Sequence, residues 1–127
     1  MGLPLPGLPS FDYIRAESLE QASQLLLDPE NNARPLLGGT DIFVQMRDGA
    51  LKPNLLVDLK QVPGMSAIEF SKKKGLQIGA AANMNAIAGN SEVMDHFPLL
   101  VEAANSVASY QLRTRATLGG NLCNASP

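Results

Sequence analysis

The sequence predicts an α+β protein in which a small α/β lobe, residues 1–60, precedes the first part of a second α+β lobe, residues 61–127. In the first lobe, segments with helical periodicity alternate with short apolar runs, which is typical of a small parallel sheet with helices. In the second lobe, two short apolar runs flank Ser71–Gly75, which predicts an antiparallel hairpin.

The first lobe is predicted to contain three strands and two helices. The strands are Phe11–Ile14, Ala33–Leu37 and the buried Leu55–Leu59. Ser18–Gln21 has the form of a capping box, so Ser18 is the predicted N-cap of a helix that ends at Asp28-Pro29. Thr40 is the predicted N-cap of a second helix, from Asp41 to Arg47. Ahead of these elements, the proline-rich residues 1–10 are predicted to form an extended arm.

The second lobe is predicted to contain a hairpin, three helices and one further strand. The hairpin strands are Ala67–Phe70 and Leu76–Gly79. Asn83 and Ser91 are the predicted caps of two short helices, and a third runs from Pro98 to about Val107. So few strands make an incomplete antiparallel sheet. We therefore expect either that the chain is a fragment or that another chain completes its sheet.

Composition and charge exclude several functional classes. Hydrophobic residues make up 45% of the chain and charged residues 17%, which argues against disorder. A net charge of −2 lacks the excess positive charge that is typical of nucleic-acid-binding proteins. The single cysteine, Cys123, excludes an internal disulfide and argues against a thiolate metal cluster held by this chain alone. No apolar run approaches the ~20 residues of a membrane span, and the apolar N-terminus lacks the basic region of a signal peptide. The expected compartment is the cytoplasm.

The first of two Gly-Gly segments lies in Leu36–Asp41. A predicted strand delivers the chain to Gly38-Gly39, and a predicted helix follows. Backbone amides at a helix N-terminus suit a pyrophosphate, and Thr40 adds a hydroxyl group. An ordinary tight turn between strand and helix is the alternative. The segment matches neither GxGxxG nor GxxxxGK[ST], so it predicts neither a Rossmann site nor a P-loop.

The second Gly-Gly segment lies near the end of the sequence. Gly119-Gly120 are surrounded by polar residues, namely Thr117, Asn121, Asn124 and Ser126. Glycine lets a ligand approach the main chain, and the polar side chains supply hydrogen bonds, which suits a polyphosphate or a heterocycle better than a metal. Thr117 and the amides around Gly119-Gly120 are expected to offer a second anion contact. A β-bulge is the alternative explanation of the glycines. No nucleophile–base arrangement or carboxylate pair is present, so no catalytic residue is assigned and the chemistry is expected to belong to a bound cofactor.

Taken together, these residues resemble a known family. Leu36–Asp41, Thr117–Asn121 and Asn124–Pro127 are similar to motifs of the FAD-binding medium subunit of molybdenum hydroxylases, the group of xanthine dehydrogenase, carbon monoxide dehydrogenase and 4-hydroxybenzoyl-CoA reductase. The resemblance extends over nearly the whole chain and corresponds to the N-terminal part of that subunit. It also includes Pro53–Leu59 and Leu76–Ala80. Two Gly-Gly motifs about 80 residues apart are more specific than either one alone.

The resemblance implies an FAD-binding fold of the vanillyl-alcohol-oxidase (PCMH) type and a set of residues around the cofactor. The residues implied to surround the pyrophosphate from the first lobe are Leu37, Gly38, Gly39, Thr40, Asp41 and Ile42. Those implied to approach it from the second lobe are Thr117, Gly119, Gly120 and Asn121. Asn124 is implied to contact the phosphate and ribityl region, and Ala80 and Ala81 to line the groove.

The resemblance also implies a role in a larger complex. Such a subunit passes electrons from iron–sulfur clusters in a small subunit through FAD to an external acceptor. Substrate reacts at a molybdopterin centre in a large subunit. The family's subunits continue well beyond this length, so a continuing or companion chain is expected to complete the FAD domain. The alternative is a non-catalytic flavin- or nucleotide-binding fragment, or a purely structural one.

Overall fold

The computed structural model describes residues 7–125; most of the proline-rich arm, together with Ser126 and Pro127, lies outside this range. The strands in this range are β1 Asp12–Arg15, β2 Ala33–Leu36, β3 Leu55–Asp58, β4 Ile68–Ser71 and β5 Gly75–Ile78. The helices are α1 Leu19–Leu27, α2 Ile42–Arg47, α3 Met84–Ala88, α4 Ser91–His96, α5 Pro98–Asn105, α6 Tyr110–Arg113 and α7 Leu118–Asn124, with a 3₁₀ turn at Pro29–Asn31.

The first sheet has the order β1-β3-β2, and both pairings are parallel. All four residues of the central strand β3 are buried. Leu55 and Val57 pack with Ala22 of α1, whereas Leu56 packs with Met46 of α2. The strand is apolar at successive positions because helices cover both faces of the sheet. The predicted parallel sheet and its buried strand are confirmed.

Helix α1 begins where the capping box predicts. The Ser18 hydroxyl accepts a hydrogen bond from the Gln21 amide at 3.1 Å. The Gln21 side chain in turn accepts from the amide of Glu17 at 2.7 Å, one residue earlier than the usual box. The helix ends at Leu27, directly before Asp28-Pro29, as predicted.

Two predicted helix caps are wrong by one residue. Helix α2 starts after Asp41 rather than Thr40, and Asp41 makes no side-chain bond to the helix. Helix α4 is capped by Asn90 rather than Ser91. The Asn90 side-chain oxygen accepts from the amides of Glu92 at 3.0 Å and Val93 at 3.2 Å. Asn90 and Ser91 are both good capping residues, so the sequence alone does not decide between them.

Replacing Asn90 by alanine is expected to lower the free energy of unfolding by about 1 kcal/mol, because two amides of α4 lose their acceptor. Ser91→Ala, at the first position of the same helix, is the matched control and is expected to change stability by less than about 0.5 kcal/mol. Chemical denaturation of both variants measures the difference. Equal losses would contradict the assignment of the cap.

The second sheet is the antiparallel pair β4–β5, in which Ile68 lies opposite Ile78. The Ser71 hydroxyl accepts from the Lys74 amide at 3.1 Å within the connecting turn. Gly75 has a φ of +75°, a conformation that favours glycine at the end of the turn. The predicted hairpin is confirmed, with each strand shifted by one residue.

The prediction of one further strand in the second lobe is wrong: within residues 61–125 the only strands are β4 and β5, and the closing Gly-Gly stretch forms helix α7. Thr117 makes a single antiparallel bridge to Asn83 and then caps α7. Its hydroxyl accepts from the Gly120 amide at 3.1 Å. Side-chain capping and packing on Ala80 therefore outweigh the poor helix propensity of two adjacent glycines.

Candidate functional site

A cleft of about 660 Å³ lies between the first sheet and α7. It is lined by almost all of the predicted cofactor-binding residues: Leu37, Gly38, Gly39, Thr40, Asp41, Ile42, Ala80, Thr117, Gly119, Gly120, Asn121 and Asn124. The remaining one, Ala81, is buried and lines a neighbouring cleft of about 490 Å³, which shares Leu37, Gly38 and Thr117 with the first. The fold thus brings together two Gly-Gly segments that are far apart in sequence.

The first Gly-Gly segment presents unpaired backbone donors beside the cleft. Within residues 7–125, the amides of residues 38–41 donate to no acceptor of the chain. Gly39 has a φ of +77°, in the left-handed region, where an L side chain is strained. Consecutive free amides at a turn of this kind form a concave site that suits an anionic ligand. Because α2 has only six residues and no side-chain cap, the turn itself supplies these donors.

Gly38 allows the first segment to touch residues 115–116, directly ahead of the second segment. A Cβ atom on Gly38 would lie 2.2 Å from the carbonyl oxygen of Arg115 and 3.3 Å from the Cα atom of Ala116. Such a separation is well inside van der Waals contact, so only glycine fits without a shift of the backbone. Gly38 is therefore required for the close packing of the first Gly-Gly turn on residues 115–116.

The amides of the second Gly-Gly segment are already used within the protein. The Gly119 amide donates to the Ala80 carbonyl at 2.9 Å, and the Gly120 amide to the Thr117 hydroxyl at 3.1 Å. A Cβ atom on Gly119 would lie 2.7 Å from that of Ala80. This differs from the expectation that these amides are available to an anion. Gly119 lets α7 pack closely on Ala80, and both glycines line the cleft without a side chain.

Several residues of the cleft were not anticipated from the sequence. Those with polar or charged side chains are Arg34, Gln45 and Cys123; apolar ones include Leu51, Val107, Ala108 and Leu112. Gln45 Nε2 donates to Asn124 Oδ1 at 3.2 Å, a bond that joins α2 to α7. Gln45 follows Asp41 by one helical turn, so the i, i+4 spacing is the signal that places it on the same face.

Asp58, at the carboxyl end of β3, carries a buried charge whose hydrogen-bond partners the sequence does not reveal. The Tyr13 hydroxyl donates to its carboxylate, as do the backbone amide and the ammonium group of Lys60, both at 2.9 Å. Burial alone would raise the pKa of Asp58. The hydrogen bonds from Tyr13 and Lys60 and the positive charge of Lys60 outweigh burial and hold the pKa below its usual value of 3.8. The signal in the sequence is a charged residue that ends an apolar run.

Among residues 7–125, no three His, Cys, Asp or Glu side chains converge in a way that could hold a metal ion. In the same range, no helix combines the length and the apolar character that crossing a bilayer requires.

Comparisons with known proteins give the family. The family model described as "FAD binding domain in molybdopterin dehydrogenase" matches residues 9–127. The chain is 36% identical to 6-hydroxypseudooxynicotine dehydrogenase complex subunit alpha of Paenarthrobacter nicotinovorans, covering 92% of this chain and 39% of the relative. It is 34% identical to the xanthine dehydrogenase FAD-binding subunit of Escherichia coli O157:H7, covering 90% of this chain and 39% of the relative.

A solved structure agrees with these relatives. The crystal structure of the Cu,Mo-CO dehydrogenase in its cyanide-inactivated form contains a chain that matches with a TM-score of 0.87 and 32% identity. The match covers 94% of this chain and 42% of that chain, so the sequence spans about two fifths of the length of the proteins it matches. A family model that covers nearly the whole sequence, together with a closely superimposable fold, leads to one conclusion: the chain belongs to the family of FAD-binding domains of molybdopterin dehydrogenases.

Proposed function

We propose that the cleft of this domain binds FAD, and that the domain passes electrons through FAD within a molybdenum hydroxylase complex. The observation that carries the proposal is the run of free amides at residues 38–41 beside a cleft of about 660 Å³. That volume lies within the ~300–1,000 Å³ typical of small-molecule sites. A pyrophosphate needs several donors at one point, and the turn at Gly38-Gly39 offers them.

The remaining walls of the cleft suit the other parts of the cofactor. Apolar side chains such as Ile42 and Leu112 offer surfaces on which a flat aromatic ring can pack. Arg34 is the cation among the lining residues, and it favours a ligand with negative charge. The donor set and the shape therefore fit FAD.

We assign the following roles to individual residues. Leu37, Gly38, Gly39, Thr40, Asp41 and Ile42 surround the pyrophosphate, and the free amides of residues 38–41 hold its oxygens in place. Thr117, Gly119, Gly120 and Asn121 close the cleft from α7, where the side chain of Asn121 offers both a donor and an acceptor. Asn124 contacts the phosphate and ribityl region, while Ala80 and Ala81 keep the groove narrow.

The chemistry of the domain belongs to its cofactor: bound FAD supplies the redox reaction. The residues of this chain bind it, orient it and exclude water from it. The proposed partners are an iron–sulfur small subunit that delivers electrons, a molybdopterin large subunit where substrate reacts, and an external electron acceptor. The names of the relatives, which include dehydrogenase complex subunits, support this assembly.

The domain organisation follows from the same proposal. Residues 1–60 form the α/β lobe and residues 61–127 the first part of the second lobe of a PCMH-type FAD domain. A continuing or companion polypeptide completes it, which agrees with the share of the relatives that the chain covers. The complex works in the cytoplasm.

Visible absorption of the purified native complex, together with titration of its apoprotein with FAD, tests the proposal. We expect a flavin spectrum and reduction of that flavin when the substrate of the complex is added. A complex without flavin that also fails to bind added FAD would contradict the proposal. Flavin that binds but is never reduced would leave a binding domain without electron transfer.

A matched pair of glycine variants tests the role of the turn. Gly39 and Gly49 have φ values of +77° and +78°, so alanine costs similar backbone strain at both positions. A Cβ on Gly49 meets nothing within 4 Å, whereas one on Gly39, which lines the cleft, would lie 2.7 Å from the Phe43 ring. We expect Gly39→Ala to weaken FAD binding at least tenfold and Gly49→Ala to leave it within about twofold. Equal FAD affinities in the two variants would refute the turn as the pyrophosphate site.

A further inference from the structure

One wall of the cleft is a short irregular segment between α5 and α6. Val107 and Ala108 lie in this segment, and both line the cleft. Ala108 has a φ of +42°, in the left-handed region that residues other than glycine rarely adopt. A residue keeps such a conformation only when its surroundings hold it there. The structure shows what holds this one.

Arg113, in α6, holds the segment by its two carbonyl groups. Its Nη1 donates to the Val107 carbonyl oxygen at 2.9 Å and to the Ala108 carbonyl oxygen at 3.1 Å. Both acceptors belong to the strained part of the wall. A single guanidinium nitrogen thus fixes the orientation of two successive peptide groups.

The guanidinium group is kept in this position even though one of its donors is left without a partner. The Nε atom of Arg113 is buried and makes no hydrogen bond within residues 7–125. Burying an unpaired donor is unfavourable. The position of the guanidinium group is therefore explained by the hydrogen bonds that its Nη1 atom makes. The planar, always charged guanidinium can make such bonds in a fixed direction, which a flexible ammonium group does less well.

A second side chain fixes the far end of the segment. Asn85, in α3, donates through Nδ2 to the carbonyl oxygen of Tyr110 at 3.0 Å. Residues 107–110 are therefore held at one end by Arg113 and at the other by Asn85. The wall is attached to the body of the protein through side chains rather than through a strand ladder.

We propose that Arg113 is a positioning residue for the flavin cleft: it holds the Val107–Ala108 wall in the strained conformation that gives the cleft its shape. This inference rests on the proposed binding of FAD. Arg113 itself is not among the residues that line the cleft, and it acts through the wall. Its loss is expected to affect the fit of the cofactor more than the stability of the fold.

Three variants of the full-length protein in its complex test this inference. Arg113→Met removes both hydrogen bonds and keeps much of the side-chain length. Arg113→Lys keeps the charge and one flexible donor group. Arg47→Met, at the exposed end of α2, removes the same charge at a site away from the wall and is the control. The measurements are FAD affinity, visible circular dichroism of the bound flavin, and hydrogen exchange of the amides of residues 107–110.

We expect Arg113→Met to weaken FAD binding about tenfold, to alter the flavin dichroism and to accelerate exchange at residues 107–110. Arg113→Lys is expected to restore part of the affinity, and Arg47→Met to match the wild type. Unchanged affinity and exchange in Arg113→Met, with a wild type that binds FAD, would overturn the inference alone. Faster exchange without any change in the bound flavin would also overturn it, because the wall would then not shape the site. A wild type that binds no FAD would instead overturn the proposed function, and the inference with it.

Discussion

Gly38→Ala is expected to lower the free energy of unfolding by about 3 kcal/mol and to abolish retention of FAD. The added Cβ would lie 2.2 Å from the carbonyl oxygen of Arg115 and 2.8 Å from its carbonyl carbon. Both are backbone atoms, so no side-chain rotation relieves the contact. Either the turn or residues 115–116 must move. Because the amides beside the cleft belong to the same turn, a shift of the turn displaces them as well.

The measurement for this variant combines chemical denaturation with flavin content after purification. Gly7→Ala is the matched control, because a Cβ at Gly7 meets nothing within 4 Å and that residue is exposed. The control is expected to stay within about 0.5 kcal/mol of the wild type. A Gly38→Ala protein with wild-type stability and full flavin content would show that the close contact between the two segments is not required.

Asp58→Asn is expected to lower the free energy of unfolding at neutral pH by about 2–3 kcal/mol, because hydrogen bonds to a charged group each contribute about 1.5–3 kcal/mol. The carboxylate is nearly fully buried and has three donors, from Tyr13 and Lys60. The neutral amide keeps the shape but weakens these bonds. Lys60 is 45% exposed, so water can solvate its ammonium group after the substitution and limits the loss.

The pH dependence of this effect has a definite sign. The pKa of Asp58 is lower in the folded protein than its usual value of 3.8, so the unfolded chain takes up a proton there first as the pH falls. The stabilisation is complete above pH 3.8 or so and is lost as the pH falls through the lower, folded-state pKa. The difference in stability between wild type and Asp58→Asn should therefore shrink below about pH 4.

Denaturation of both proteins at several pH values between about 2.5 and 7 checks this prediction. Asp12→Asn, at an exposed position of the neighbouring strand β1, removes the same formal charge and is the control. Its stability is expected to follow that of the wild type at every pH. If the effect of Asp58→Asn were the same across the whole range, the ionised carboxylate would not be its cause.

The elements that the sequence predicted well are those in which burial and turn chemistry agree. Leu55–Asp58 is apolar at successive positions and ends in a buried charge, and it forms the central strand. Ser18 and the Asp28-Pro29 pair mark the two ends of α1 because each has a local cause, a cap and a proline. The lysine-rich turn between β4 and β5 was equally clear, since three exposed cations suit no other position in the hairpin.

Helix α7 could not be predicted from the local sequence alone. Two adjacent glycines predict a turn or a bulge, because glycine is a poor helix former. Their presence in α7 depends on Ala80, whose methyl group and carbonyl oxygen leave no room for a side chain at residue 119. The contact between residues 80 and 119 is a tertiary interaction, and it overrides the low helix propensity of glycine.

The sequence predicted where the two Gly-Gly segments lie better than it predicted the hydrogen bonds of their amides. The motifs placed both Gly-Gly segments near one ligand, and they do line one cleft. Which amides are free could not be predicted, since it depends on the bonds of Gly119 and Gly120 to Ala80 and Thr117. The contributions of Arg34, Gln45 and the Val107–Ala108 wall depend likewise on packing between distant segments.

The strand order of the first sheet has a consequence for how the protein is made. β1 and β2 do not pair with each other; each pairs with β3, which is the last of these three strands in the chain. During synthesis the first two strands therefore emerge without a partner, and the sheet can assemble only once residues 55–58 have left the ribosome. Parallel pairings between distant segments form slowly because a long loop must close first. A nascent chain shorter than this keeps its strand edges and the apolar face of α1 uncovered, and exposed surface of this kind favours aggregation.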